Sequence, residues 1–117
     1  MAERIVDLAH ERRIRLLPCA VCAKPAPSEC HHVGARAKSR RAGSGNAACL
    51  CGAHHREYHT HGRLTFAAKY GMDDDALIEK TRAAHALRWP NVTMPPRDPQ
   101  EAPIVAPFTS LRIRAGA

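Results

Sequence analysis

Two short turns carry the residues best suited to chemistry. Cys19-Ala-Val-Cys22 is a C-x-x-C and Cys51-Gly-Ala-His54 a C-x-x-H. A tetrahedral Zn2+ takes four thiolate or imidazole ligands, and two chelating turns present them in pairs. Residues 23–50 separate the turns, far more than the about twelve residues between the pairs of a short zinc finger. The chain must therefore leave and return, with strand and loop between the half-sites. A redox C-x-x-C of thioredoxin type does not fit, because no βαβ pattern surrounds it. The expectation is a structural zinc site on Cys19, Cys22, Cys51 and His54. Cys49, two residues before Cys51, is a rival thiol; it and Cys30 read better as small buried hydrophobes.

The histidines form a second constellation. His55 and His59 are four apart, which on a helix puts both imidazoles on one face, able to chelate one cation. His61 is the rival to His59 and lacks that spacing. A zinc protease would need Glu directly after the first histidine; Glu57 is one position too late. His31 and His32 are adjacent, and on a strand neighbouring side chains point to opposite sides. Near a strand end, one can ligate a metal while the other holds a water. One-metal hydrolysis of a phosphodiester requires those two roles, an ion on the phosphate and a base for the attacking water. A neutral imidazole suits the base.

The order "CAVC … CHHV … N … CLCGAHHREYH" resembles the HNH, or ββα-metal, endonuclease family over roughly residues 19–60. It is most similar to HNH proteins with paired zinc half-sites, in particular the phage recombination-associated, Ref-type group, where "CHH" precedes a basic Gly-rich loop. The resemblance implies an α+β fold with a small ββα-metal core, in which His31 is a ligand of the catalytic metal and His32 the general base. Asn46 would orient loop and base, and His55 and His59 would complete the metal site. It also implies DNA as substrate, 5′-phosphate and 3′-hydroxyl products, and a partner such as a recombinase filament or another phage or host replication protein. The catalytic ion, Mg2+, Mn2+, Ni2+ or Zn2+, stays open. His54 stands where many members carry a second Cys, and histidine is an acceptable zinc ligand.

The elements that must hold these groups follow from pattern and punctuation. Residues 2–16 read as a helix with Ile5, Leu8, Ala9 and Leu16 on its inner face, stopped by Pro18. "CHHV" and "NAACLC" read as short strands or apolar runs. "GAHHREYH" reads as a helix broken near Gly62, and "RLTFAAKYG" as another ended by Gly71. "DDDALIEKTRAAHALRW" reads as a last helix with aspartates at its start and Leu77, Ile78, Thr81, Ala84 and Leu87 inside. His10 and His85 are expected on helix surfaces. Residues 1–88 form the expected nuclease domain. Residues 89–117, which hold six of nine prolines, form an extended or disordered tail.

Composition agrees with a small metal-held nucleic-acid enzyme. A chain of 117 residues is one domain's worth, and with 2 Phe, 2 Tyr and 1 Trp its core is thin, a gap that a structural metal fills in small domains. A net charge of +7 suits a polyanion. Arg36, Lys38, Arg40 and Arg41 follow the expected base and would neutralise phosphates. Five cysteines cannot all pair, and the N-terminus lacks a signal-peptide core. No apolar run nears the ~18 residues of a membrane span. The expected compartment is a reducing cytoplasm.

Overall fold

The computed structural model describes residues 5–33 and 43–97. They form a small α+β domain of four helices and a two-stranded sheet, in the order α1 (Leu8–Arg15), β1 (Glu29–His32), a 3-10 turn (Ser44–Asn46), β2 (Ala47–Leu50), α2 (Gly52–His61), α3 (Arg63–Tyr70) and α4 (Asp74–Arg88). The basic residues Arg36, Lys38, Arg40 and Arg41, and the tail beyond residue 97, lie outside the described residues. No helix among the described residues is long and apolar enough to cross a membrane.

The strands pair antiparallel, with Cys30 opposite Cys49 and His31 opposite Ala48. All four residues of β2 are buried, as expected of a strand covered on both faces. Its outer edge is closed: the Cys49 N–H donates to the Thr81 hydroxyl of α4 (3.1 Å), and the Cys49 carbonyl accepts from the Ala20 N–H (2.8 Å). A two-stranded sheet is otherwise marginal, so these edge bonds and the flanking helices sustain it. Around it cluster Ile14, Leu17, Val33, Leu50, Phe66, Leu77 and Ile78, all at most 2 % exposed.

The helix boundaries have local causes. Asp7 caps α1 by accepting from the His10 N–H (3.0 Å), and Asp73 caps α4 by accepting from the Ala76 N–H (2.8 Å). Both satisfy amides the helix cannot. Gly62 (φ 87) separates α2 from α3, a conformation that side chains resist. Gly71 ends α3 in the left-handed region, as expected. Glu57 of α2 accepts from Lys69 (2.7 Å) and from the Tyr70 hydroxyl, which folds α3 back along α2.

Three expectations need correction. The inner face of α1 is His10, Glu11 and Ile14, while Ile5, Leu8 and Leu16 are 42, 60 and 47 % exposed. The capping Asp7 starts the helix at Leu8, and the buried stripe is largely polar because each polar group meets a ring or a hydrogen-bond partner inside the fold. Leu87 is likewise outside, at 86 % exposed; Trp89 packs instead on the His85 ring (5.0 Å). His10 and His85 are buried, at 1 and 0 % exposed. Their rings lie 5.0 Å apart, and the Arg13 Nε–H donates to His85 Nε2 (2.9 Å).

The chain after Trp89 turns back onto the domain. Arg97 pairs with Asp75 (2.7 Å) and Glu79 (3.0 Å) of α4, and Arg82 donates to the carbonyls of Pro95 (2.8 Å) and Gly45 (3.2 Å). A Cβ on Gly45 would lie 1.9 Å from the Pro96 carbonyl oxygen. The absence of a side chain at Gly45 thus lets residues 95–97 close over the 3-10 turn that precedes β2.

Candidate metal centres

The Cys19-x-x-Cys22 turn is a tight knuckle. The Ala23 N–H donates to the Cys19 carbonyl (2.8 Å), and the Cys19 N–H to the Lys24 carbonyl (3.0 Å). The Val21 N–H points at Cys19 Sγ (3.4 Å). Ala23 adopts φ 62 to close the turn. The second half-site is the first turn of α2, with Cys51 at its N-cap. The knuckle is tied to β2 through the Ala20–Cys49 bond described above, so the two turns face each other.

Ligand atoms of Cys19, Cys22, Cys51 and His54 all lie within 4.8 Å of one another and could hold a metal ion. The Cys51 Sγ–His54 Nδ1, Cys19 Sγ–His54 Nδ1 and Cys22 Sγ–Cys51 Sγ distances are 3.2, 3.7 and 3.9 Å. Tetrahedral zinc with its usual bond lengths has edges of about 3.6 Å (S···N) and about 3.8 Å (S···S), so the donor set fits the ion. Burial raises the Cys19 thiol, but backbone hydrogen bonds from Cys51, Cys22 and Val21 outweigh it and hold the group below its ordinary value. In Cys51, burial is likewise outweighed by hydrogen bonds from His54. Both shifts favour the thiolate, the form that binds metal. The His54 ring is seated edge-on against Tyr70 (5.1 Å) and Phe66 (6.4 Å). Cys49 stays out of the cluster. It is 1 % exposed, its thiol donates to the Pro18 carbonyl (3.1 Å), and burial raises its pKa.

The second cluster joins β1 to α2. His31, His55 and His59 bring one ring nitrogen each within 4.8 Å of the others. His55 Nε2 and His59 Nε2 are 3.2 Å apart, close to the about 3.3 Å edge expected for two nitrogens on one tetrahedral zinc. His31 is 3 % exposed, and its Nε2 is buried without a hydrogen-bond partner among the described residues. An unpaired buried nitrogen is costly, and the neighbouring His55 and His59 rings make His31 a candidate cation ligand. Burial, then the neighbouring His55, His59 and His32, pushes His31 down to about 3, so the ring is neutral at ordinary pH, as a ligand must be. Tyr58 packs edge-on against His31 (4.3 Å) and donates its hydroxyl to Asp74 (2.6 Å). His61 is exposed and outside the cluster.

Alternation along β1 divides the adjacent histidines. Glu29 and His31 face α2, where His55 Nδ1 lies 2.6 Å from Glu29 Oε1. Cys30 and His32 face α1, where His32 Nε2 lies 3.1 Å from Glu11 Oε2. Asn46 is buried; its carbonyl accepts from the Val33 N–H (2.9 Å), and its N–H donates to the Gly43 carbonyl (3.1 Å). It thereby fixes the chain immediately after His32.

Sequence reading missed Glu29, Glu11, Ser44 and Tyr58. Glu29 left one signal, its place two residues before His31, hence on the same strand face. Glu11 and Ser44 left none, because their partners are far along the chain. Compared with protein-family models, curated proteins and solved structures, the chain gives no match.

Proposed function

We propose that this protein is a metal-dependent DNA endonuclease of the HNH type, with zinc on Cys19, Cys22, Cys51 and His54 as a structural support. The observation that carries the reading is that His31, His55 and His59 bring one ring nitrogen each within 4.8 Å of the others, while the buried Nε2 of His31 has no hydrogen-bond partner among the described residues; a second histidine stands next along the same strand. Metal ligands and an imidazole base outside the ligand set are the two requirements of one-metal phosphodiester hydrolysis.

In this reading His31, His55 and His59 hold a divalent cation. That ion, when bound, supplies positive charge to the scissile phosphate and the departing oxygen. His32 removes a proton from water as its oxygen bonds to phosphorus. The P–O3′ bond breaks, and the 3′ oxygen takes a proton from solvent. Asn46 keeps the segment behind His32 in place. The net charge of +7 supplies general attraction to the DNA backbone, and Arg36, Lys38, Arg40 and Arg41 are assigned to phosphate contacts. A recombinase or replication protein as partner follows from the family resemblance.

The test is cleavage of supercoiled, linear, single-stranded and branched DNA across Mg2+, Mn2+, Ni2+ and Zn2+, with chelator controls. Cleavage by the native protein and its loss in His32→Ala are expected. Wild-type cleavage by His32→Ala in every metal would sink the assignment of the base. DNA binding without cleavage in any metal would instead make the protein a non-catalytic zinc module.

A further inference from the structure

Helix α1 lies outside the stretch that resembles a nuclease, yet it sends a carboxylate to the proposed base. Glu11 Oε2 is 3.1 Å from His32 Nε2. The same oxygen accepts the Ser44 hydroxyl at 2.6 Å, and Ser44 Oγ in turn accepts the Asp7 N–H at 2.8 Å. Glu11 is 9 % and Ser44 0 % exposed. Two separate segments, the 3-10 turn and the end of β1, thus converge on the carboxylate that α1 supplies. A buried carboxylate without partners would take up a proton. Here burial raises the Glu11 pKa, but the hydrogen bonds from Ser44 and His32 outweigh it, and the net shift is downward. The group is therefore an anion, able only to accept. The ring atom facing it must carry the hydrogen.

We propose that Glu11 is the positioning residue of the base: it fixes His32 as the Nε2–H tautomer, so that Nδ1 is the atom that takes the proton from water. This rests on the assignment of His32 as the base. The proton moves from water to Nδ1; Nε2 keeps its hydrogen, and the carboxylate stays ionised while stabilising the imidazolium. A neutral histidine without such a partner divides between two tautomers, only one of which can accept at the required atom. Ser44 holds Glu11 in turn, by a contact that does not touch the ring.

The test uses the full-length protein, zinc-loaded, with two independent readouts. The first is the tautomer of His32 from long-range 1H–15N NMR. The wild type should show Nε2–H. Glu11→Gln, which retains an acceptor, should largely keep it, and Glu11→Ala should lose the preference. The second is kinetic. Glu11→Gln should lower kcat by about tenfold and Glu11→Ala by about a hundredfold, both within the range of general-base catalysis, with KM for DNA unchanged. Ser44→Ala should fall between wild type and Glu11→Ala. Glu11→Ala should have no further effect in a His32→Ala background, whereas a merely structural Glu11 would depress that residual rate as well.

An Nδ1–H tautomer in the wild type would overturn the proposal, as would wild-type kcat in a folded Glu11→Ala. Cys30 lies beside both groups, so a Co2+–thiolate absorption lost on Cys30→Ser would also overturn it, by making His32 a ligand. If the wild type cleaves no DNA in any metal, the nuclease reading fails. The NMR arm then still decides whether Glu11 sets the tautomer.

Discussion

Glu29 Oε1 sits 2.6 Å from Nδ1 of His55, whose Nε2 is 3.2 Å from Nε2 of His59. Carboxylate, imidazole and candidate metal site are therefore in line. A metal-bound histidine commonly donates its other N–H to a carboxylate, which fixes the ring and raises its basicity.

Glu29→Ala should weaken metal binding at the three-histidine site. Such partners are worth about 10- to 100-fold in affinity, and because the Glu29 side chain is 53 % exposed, the lower end, about tenfold, is expected. Calorimetric titration with Co2+ or Ni2+, after the thiolate site is filled with Zn2+, measures it. Unchanged affinity would show that the pair does not support the ligand.

Loss of the thiolate site should unfold the domain. Among the described residues the core contains a single buried phenylalanine, and an ion on Cys19, Cys22, Cys51 and His54 would staple the knuckle at residues 19–22 to the start of α2. Cys51→Ser, or a strong chelator at neutral pH, should abolish the cooperative thermal transition seen by circular dichroism, because metal-binding energy in such sites is folding energy. A chelated protein that melts as the untreated one does would contradict this.

The clustering of the Cys/His quartet and of the three histidines was legible because these residues come in chelating spacings, which a turn or a helix brings together locally. The same holds for the helix break at Gly62 and the stop at Gly71. The supporting shell was not legible. Glu11 meets Ser44 33 positions away, and Glu29 meets His55 26 positions away; no local period encodes such pairs. Counting apolar residues also misassigned the inner face of α1, because that face buries His10 and Glu11.

Acid should destabilise the fold through His10. Burial, then His85 and Arg13, pushes its pKa down to about 4 from 6.5, with Arg82 adding to the fall and Asp7 opposing it. Between those values the unfolded chain holds the proton and the native state does not. Stability is therefore complete above about pH 6.5 and declines as pH falls toward 4, by roughly 3 kcal/mol at most. Metal binding at the candidate clusters would also weaken in acid, so the comparison is with His10→Phe, which should show a shallower decline in urea midpoint over that range. Parallel curves would refute the assignment.

Gly45→Ala should destabilise the native state by about 1–3 kcal/mol, the usual cost of overpacking. The new methyl would meet the backbone carbonyl of Pro96, which cannot swing aside as a side chain would. Residues 95–97 must then lift from the 3-10 turn. Chemical denaturation gives the loss, and faster proteolysis near Arg97 should accompany it. A variant as stable and as protease-resistant as the parent would rule this contact out.

The four residues of β1 behave as a two-sided key. Odd positions engage α2 and even positions engage α1, so a displacement by one residue would not blunt either site but transpose them. Cys30 and His32 would turn toward His55 and His59, and His31 would turn toward Glu11. A substitution in the strand therefore affects one face, whereas an insertion or deletion between Glu29 and His32 misplaces both at once. In a mutational scan of single-residue indels, those between the two cysteine turns should be lost most completely within this tetrapeptide.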